Sequence, residues 1–198
     1  MTLRLLPAGA HTGFLGALCV PDDLYWVSRA PLALAGMAYP GRADWELLAS
    51  EGIGHVVCLT HEVAPYDPSP CTVSAFRLQD LVSGDPPGQP AREHALVVAA
   101  ATDVVSHLAR DIGVAVHCMG GRGRTGTVLG VALVRLGHEP EAVIDYLHRL
   151  AVGRGRRGWP ESHWQADVVR ATDPEPSGNP EPGGNPEPNG NPETKPRA

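Results

Sequence analysis

The sequence predicts an α/β fold with a mostly parallel central sheet flanked by helices. Two observations carry that prediction. Short apolar runs alternate with longer segments of helical period along most of the chain, the pattern of strands joined by helical crossovers. The 198 residues are 42% apolar and 19% charged, which suits one ordinary globular domain with its own core.

The elements follow in order. Residues 24–28 and 32–36 read as short strands, and residues 43–51 as a helix stopped by Gly52. Residues 53–59, centred on HVVCL, read as a buried strand. Residues 72–78 form a further strand, followed by a loop rich in glycine and proline. Residues 91–110 carry a long helical pattern through Ala95, Val98, Ala99, Thr102 and Val105. The apolar run GVAVH at 113–117 is a short strand, and helices are expected over 125–136, over 140–151 and from residue 160.

The folded domain is placed at residues 1–172. From Asp173 the chain reads DPEPSGNPEPGGNPEPNGNPETKPRA, without a large apolar residue. Such a segment buries too little surface to offset its ordering entropy, so residues 173–198 are expected to form a disordered tail. At the other end, Pro7, Gly9 and His11 interrupt the apolar residues that follow Arg4, which argues against a secretory signal. No apolar run is long enough to span a membrane. Cys19, Cys58, Cys71 and Cys118 form no CxxC pair and no metal-ligand spacing. They are read as reduced thiols of a cytoplasmic, monomeric protein, with no metal and no cofactor. A net charge of -6 gives no basis for nucleic-acid binding by charge, so any anion site must be local.

One segment carries chemistry: His117-Cys118-Met119-Gly120-Gly121-Arg122-Gly123-Arg124-Thr125-Gly126. It lies between an apolar strand and an apolar helix. A loop entering a helix points several N–H groups at one spot, and the helix dipole adds positive potential there. The glycines let the backbone curl, which makes an anion nest of Met119, Gly120, Gly121, Arg122, Gly123 and Arg124. Arg124 can clamp two phosphoryl oxygens with its planar fork. The same field stabilises a thiolate at Cys118, aimed at a phosphorus atom. Thr125 can donate a hydroxyl hydrogen bond to that sulfur. The bland alternative is a structural cysteine beside a glycine turn, but two arginines in a buried turn are costly without an anion.

This segment resembles the signature of the protein-tyrosine and dual-specificity phosphatases, His-Cys-(X)5-Arg-Ser/Thr. YWVSRAPLALAGMAYPG resembles the entry strands of small dual-specificity-like members, and Pro160-Glu161-Ser162 with Gln165 resembles a late Pro-Glu-Thr-x-x-Gln element. The resemblance implies a protein-tyrosine-phosphatase-like fold and a metal-free phosphatase working through a phosphocysteine. It implies that His117 orients the loop and favours the thiolate, and that an Asp on a loop before the long helix is the general acid. Asp80 stands at the strand end, where the family places its acid. Asp85, nearer the prolines, fits the usual spacing to Cys118. Asp80 is preferred. Gln165 is either an ordinary helix residue or one that positions the hydrolytic water. Arg122 is either a solvated charge or the basic loop residue of phosphoinositide phosphatases. Met119 stands where those enzymes carry a lysine. His61, Glu62 and Tyr66 either shape a substrate mouth or form a solvated loop.

A phosphotyrosine- or phosphoserine-type protein is the favoured substrate. A phosphoinositide, an RNA 5′-phosphate or another small phosphate ester also suits this chemistry. The rival readings are a catalytically weak phosphate-binding module and a rhodanese-type sulfurtransferase, which the HC…RTG string fits poorly.

Overall fold

The computed structural model describes residues 3–7, 9–10, 12–61 and 66–174. A five-stranded sheet is its spine, in the order β3-β4-β7-β5-β6. The strands are β3 (Leu24–Ser28), β4 (Leu34–Met37), β5 (Ile53–Cys58), β6 (Thr72–Ala75) and β7 (Gly113–His117). β3 runs antiparallel to β4, and the remaining pairings are parallel. The fold is therefore the α/β class expected, with one antiparallel edge. The inner strands β4, β5 and β7 are almost wholly buried because helices cover both faces of the sheet there, and all five residues of β7 are buried, while the edge strand β6 is mostly exposed.

The pleat divides the core in two. Val114 and Val116 face one cluster with Leu34, Val57 and residues of the helices α2 (Pro90–Leu108), α3 (Gly123–Arg135), α4 (Pro140–Gly153) and α5 (His163–Arg170). Ala115, between them, faces the other cluster with Trp26, Ala35, Ile53, Val56 and the helix α1 (Trp45–Ser50). α3 is the central helix, packed on α2, α4 and α5, and is buried along nearly its whole length.

Three boundaries differ from expectation. A hairpin of β1 (Gly13–Leu15) and β2 (Leu18–Val20) precedes the main sheet; three-residue strands carry too little periodicity to be read. β6 stops at Ala75, although Phe76 and Leu78 still donate to Cys58 and Leu59 carbonyls. α3 starts at Gly123, which puts Arg124 and Thr125 in its first turn. Nearly all of the expected tail, residues 175–198, lies outside the described residues, as does Glu62. No helix among the described residues is long and apolar enough to cross a membrane.

Candidate active site

The site forms where β7 ends and α3 begins. Cys118 follows directly after β7 and is 3% exposed. The loop is anchored from the neighbouring strand end, since Tyr39 N–H donates to the Met119 carbonyl at 3.0 Å. Gly121 has a φ of 62°, and a Cβ there would lie 2.6 Å from the Met37 carbonyl carbon. Glycine is thus required at Gly121 by both conformation and space. No side chain caps the first turn of α3, which leaves its amides facing the loop.

Arg124 is 4% exposed. Its Nη2 meets Asp80 Oδ2 at 2.9 Å, and its Nη1 donates to the Leu78 carbonyl at 3.4 Å. The strand-end residues 78–80 therefore lie across the loop. Asp85 is exposed and makes no ion pair or hydrogen bond among the described residues. Asp80 also lines an open cleft of about 490 Å³ beside the site, with His61, Arg77, Gln79, Arg92 and Glu93.

His117 is fully buried. Its Nδ1 approaches the Cys118 carbonyl at 3.3 Å, and a carbonyl only accepts, so Nδ1 carries the proton. Nε2 then accepts from the Tyr66 hydroxyl at 2.5 Å. Burial, with the Arg124 charge as a smaller cause, pushes His117 down to about 4. The ring is neutral at pH 7. It holds the loop but brings no positive charge to the cysteine.

The family described as "Swiss Army Knife protein, DSP-PTPase phosphatase domain" matches residues 21–158. The chain belongs to this phosphatase family. Within the protein-tyrosine and dual-specificity superfamily, P. aeruginosa TpbA is similar in structure, with a TM-score of 0.55 at 20% identity over 79% of this chain and 89% of that one. Kinase associated phosphatase gives 0.53 at 22% identity, covering 76% of this chain and 93% of that one. PTPMT1, solved in complex with PI(5)P, gives 0.53 at 15% identity, covering 75% and 93%. At these identities the likeness shows the shared fold.

Several side chains of this phosphatase domain differ from expectation. Arg122 is turned out of the nest: Nε lies 2.7 Å from Glu161 Oε1, and Nη2 bonds the same oxygen. Glu161 is largely buried and takes the arginine as its counter-ion. Arg122 thus offers the loop its backbone rather than its guanidinium. Gln165 Oε1 accepts from the Glu161 and Ser162 amides at 2.8 and 3.2 Å, closing the capping box of α5. The Thr125 hydroxyl is buried with no hydrogen-bond partner among the described residues, so the expected bond to the Cys118 sulfur is not made here. Met119 is 46% exposed at the mouth.

Two further contributors have roles that do not show in the sequence: Tyr66, read there as a substrate-mouth or solvated-loop residue, and Arg154, not singled out at all. Tyr66 stacks on Trp45 at 5.5 Å and meets Tyr39 edge-on at 6.4 Å, so it is a wedge behind His117 rather than part of a solvated loop. Arg154 is 7% exposed beneath the phosphate loop. It donates to the Gly121, Pro21 and Asp22 carbonyls at 2.9, 2.8 and 2.7 Å, and its guanidinium lies 4.2 Å from the Tyr25 ring centre. Burial lowers its proton affinity. In the run Arg154-Gly155-Arg156-Arg157 it looks like any surface charge; only the fold separates it from its neighbours.

Proposed function

We propose that this domain hydrolyses phosphate monoesters through Cys118, without a metal. The observation that carries the reading is the placement of Cys118 and Arg124 on one strand-loop-helix turn, with Asp80 against the arginine fork. The Cys118 thiolate attacks phosphorus, forming the S–P bond as the ester P–O bond breaks. Asp80 gives its proton to the leaving oxygen. Water then attacks the phosphocysteine, Asp80 takes up a proton, and the S–P bond breaks to return the thiolate and release phosphate. The loop amides and Arg124 stabilise the equatorial oxygens in both steps.

A phosphotyrosine- or phosphoserine-bearing protein is the favoured substrate. The engagement of Arg122 with Glu161 removes the side chain that hinted at a lipid headgroup. A phosphocysteine mechanism needs a reduced thiol, which fits a cytoplasmic setting. The test is Cys118→Ser, assayed against phosphopeptides, phosphoinositides, RNA 5′-phosphates and small aryl phosphates. Turnover should vanish while phosphate-analogue binding persists, because the nest and Arg124 survive. Near wild-type activity in this variant would remove Cys118 from the mechanism.

A further inference from the structure

The fold gathers three metal-ligating side chains away from Cys118, although nothing in their sequence spacing announces them. His55 lies on β5, while Asp103 and His107 sit one turn apart on α2. One ligand atom from each lies within 4.8 Å of the others. His55 stands three residues before Cys58, about 10 Å along the strand from the end that faces the phosphate loop.

The hydrogen bonds around these groups leave lone pairs turned inward. Thr72 donates its hydroxyl proton to the Gly54 carbonyl at 3.3 Å, so its oxygen accepts from His55 Nδ1 at 2.6 Å. Ser74 donates to Asp103 Oδ2 at 2.5 Å. In that tautomer His55 Nε2 turns a lone pair towards Asp103 Oδ2 at 3.0 Å and Ser74 Oγ at 3.1 Å, an arrangement that is unfavourable unless a cation lies between them. His107 donates Nδ1–H to the Asp103 carbonyl at 2.9 Å, and its own Nε2 keeps a lone pair. Each histidine thus has its outer nitrogen engaged by a hydroxyl or a carbonyl, the usual second partner of a metal-bound imidazole. The 3.0 Å between His55 Nε2 and Asp103 Oδ2 falls a few tenths of an ångström short of the edge of about 3.3–3.4 Å of a tetrahedron with bonds of about 2.0–2.1 Å, so a small opening of the pair would fit it to an ion.

We propose that His55, Asp103 and His107 bind a divalent transition cation of the Zn²⁺ type and so clasp α2 to β5. Two imidazoles and one carboxylate suit such an ion, with water in the fourth position. The two rings stack at 3.6 Å and 7°, and parallel rings cannot both hold one ion in their planes. Binding fans them apart. His107 is the ring that turns, since it is 13% exposed against 4% for His55 and its Nδ1 contacts lie on its own helix, the Asp103 carbonyl at 2.9 Å and Asp103 Oδ1 at 3.4 Å.

The experiment is equilibrium dialysis and thermal melting of the full chain with Zn²⁺ or Mg²⁺, together with the visible spectrum of the Co²⁺ form. One saturable Zn²⁺ site is expected, with a higher melting temperature, little response to Mg²⁺ and the intense bands of four-coordinate Co²⁺. Asp103→Asn and His107→Gln should weaken binding by about 10–100-fold or more, and Thr72→Val, which removes an outer partner, by about 10–100-fold. Cys118→Ser should leave the affinity unchanged. Phosphatase turnover of His107→Gln should match wild type, which keeps this proposal separate from the one for Cys118. No saturable Zn²⁺ binding would overturn it: Thr72 would then donate to His55, and the cluster would be a hydrogen-bonded clasp alone. Binding lost in Cys118→Ser but kept in His107→Gln would overturn it as well.

Discussion

Asp80 meets Arg124 in the resting site, and that pairing turns the choice between two acids into a measurement. Asp80→Asn should reduce turnover of an alkyl phosphate by about 10²–10⁴, the usual worth of general acid catalysis. Turnover of an activated aryl phosphate should fall much less, because a good leaving group departs as an anion. Asp85→Asn should do neither; the reverse pattern, read from kcat on the two substrates, would move the acid to Asp85. His117 makes a second prediction at this scale. Its folded value of about 4 lies below the ordinary 6.5, so the unfolded chain takes up the proton first. The stabilisation is complete above about pH 6.5 and is lost as pH falls from there towards 4, by on the order of 3 kcal/mol. Urea unfolding of wild type against His117→Asn should show a shallower acid decline in the variant. Cys118 and Arg124 can be singled out because their types and spacing carry chemistry by themselves, whereas Asp80 is preferred over Asp85 only on its place at a strand end, where the resemblance puts the acid. The roles of Tyr66 and Arg154 are not legible in this way, because they come from partners far away in the chain.

At the scale of elements, the phosphate loop is held from below as much as from its ends. Arg154, at the end of α4, ties the Gly121 carbonyl to the turn before β3. Arg154→Met keeps the aliphatic stem but strands those carbonyls, at roughly 1–3 kcal/mol for each one left unsatisfied. Both the urea midpoint and the affinity for a phosphate analogue should fall. Arg154→Lys should recover only part, since an ammonium lacks the planar fork that reaches two segments at once. Unchanged analogue affinity in Arg154→Met would show that the loop holds its shape without this support. Gly123 is confined on the opposite side, where an added Cβ would sit 1.6 Å from Glu161 Oε2. Element types were readable because strand and helix periods differ. Element ends were harder: α3 begins with Gly123, a residue whose local preference speaks against a helix, and packing against Glu161 and Trp159 overrides it.

For the whole molecule, the alternation of strands and helices made the sheet class legible, while strand order was not, because register depends on pairings between distant segments. The hairpin β1–β2 shows the same limit at short range. Deleting residues 175–198 should leave turnover and melting temperature nearly unchanged, since that stretch has no large apolar side chain to add to either core cluster. A melting temperature several degrees lower would mean that the segment docks on the domain. The two clusters also share β7, which contributes Val114 and Val116 to one and Ala115 to the other. Loss of packing on either face is therefore felt by the strand that carries Cys118.

If Asp80 is the acid, its contact with Arg124 gives substrate docking a competitor built into the site. A carboxylate already occupies part of the fork that an incoming phosphoryl group needs, so docking is an exchange of one anion for another. Under the proposed mechanism the displaced carboxylate must take up a proton before it can give one to the leaving oxygen. On that reading, arrival of the substrate is also what frees Asp80 from Arg124.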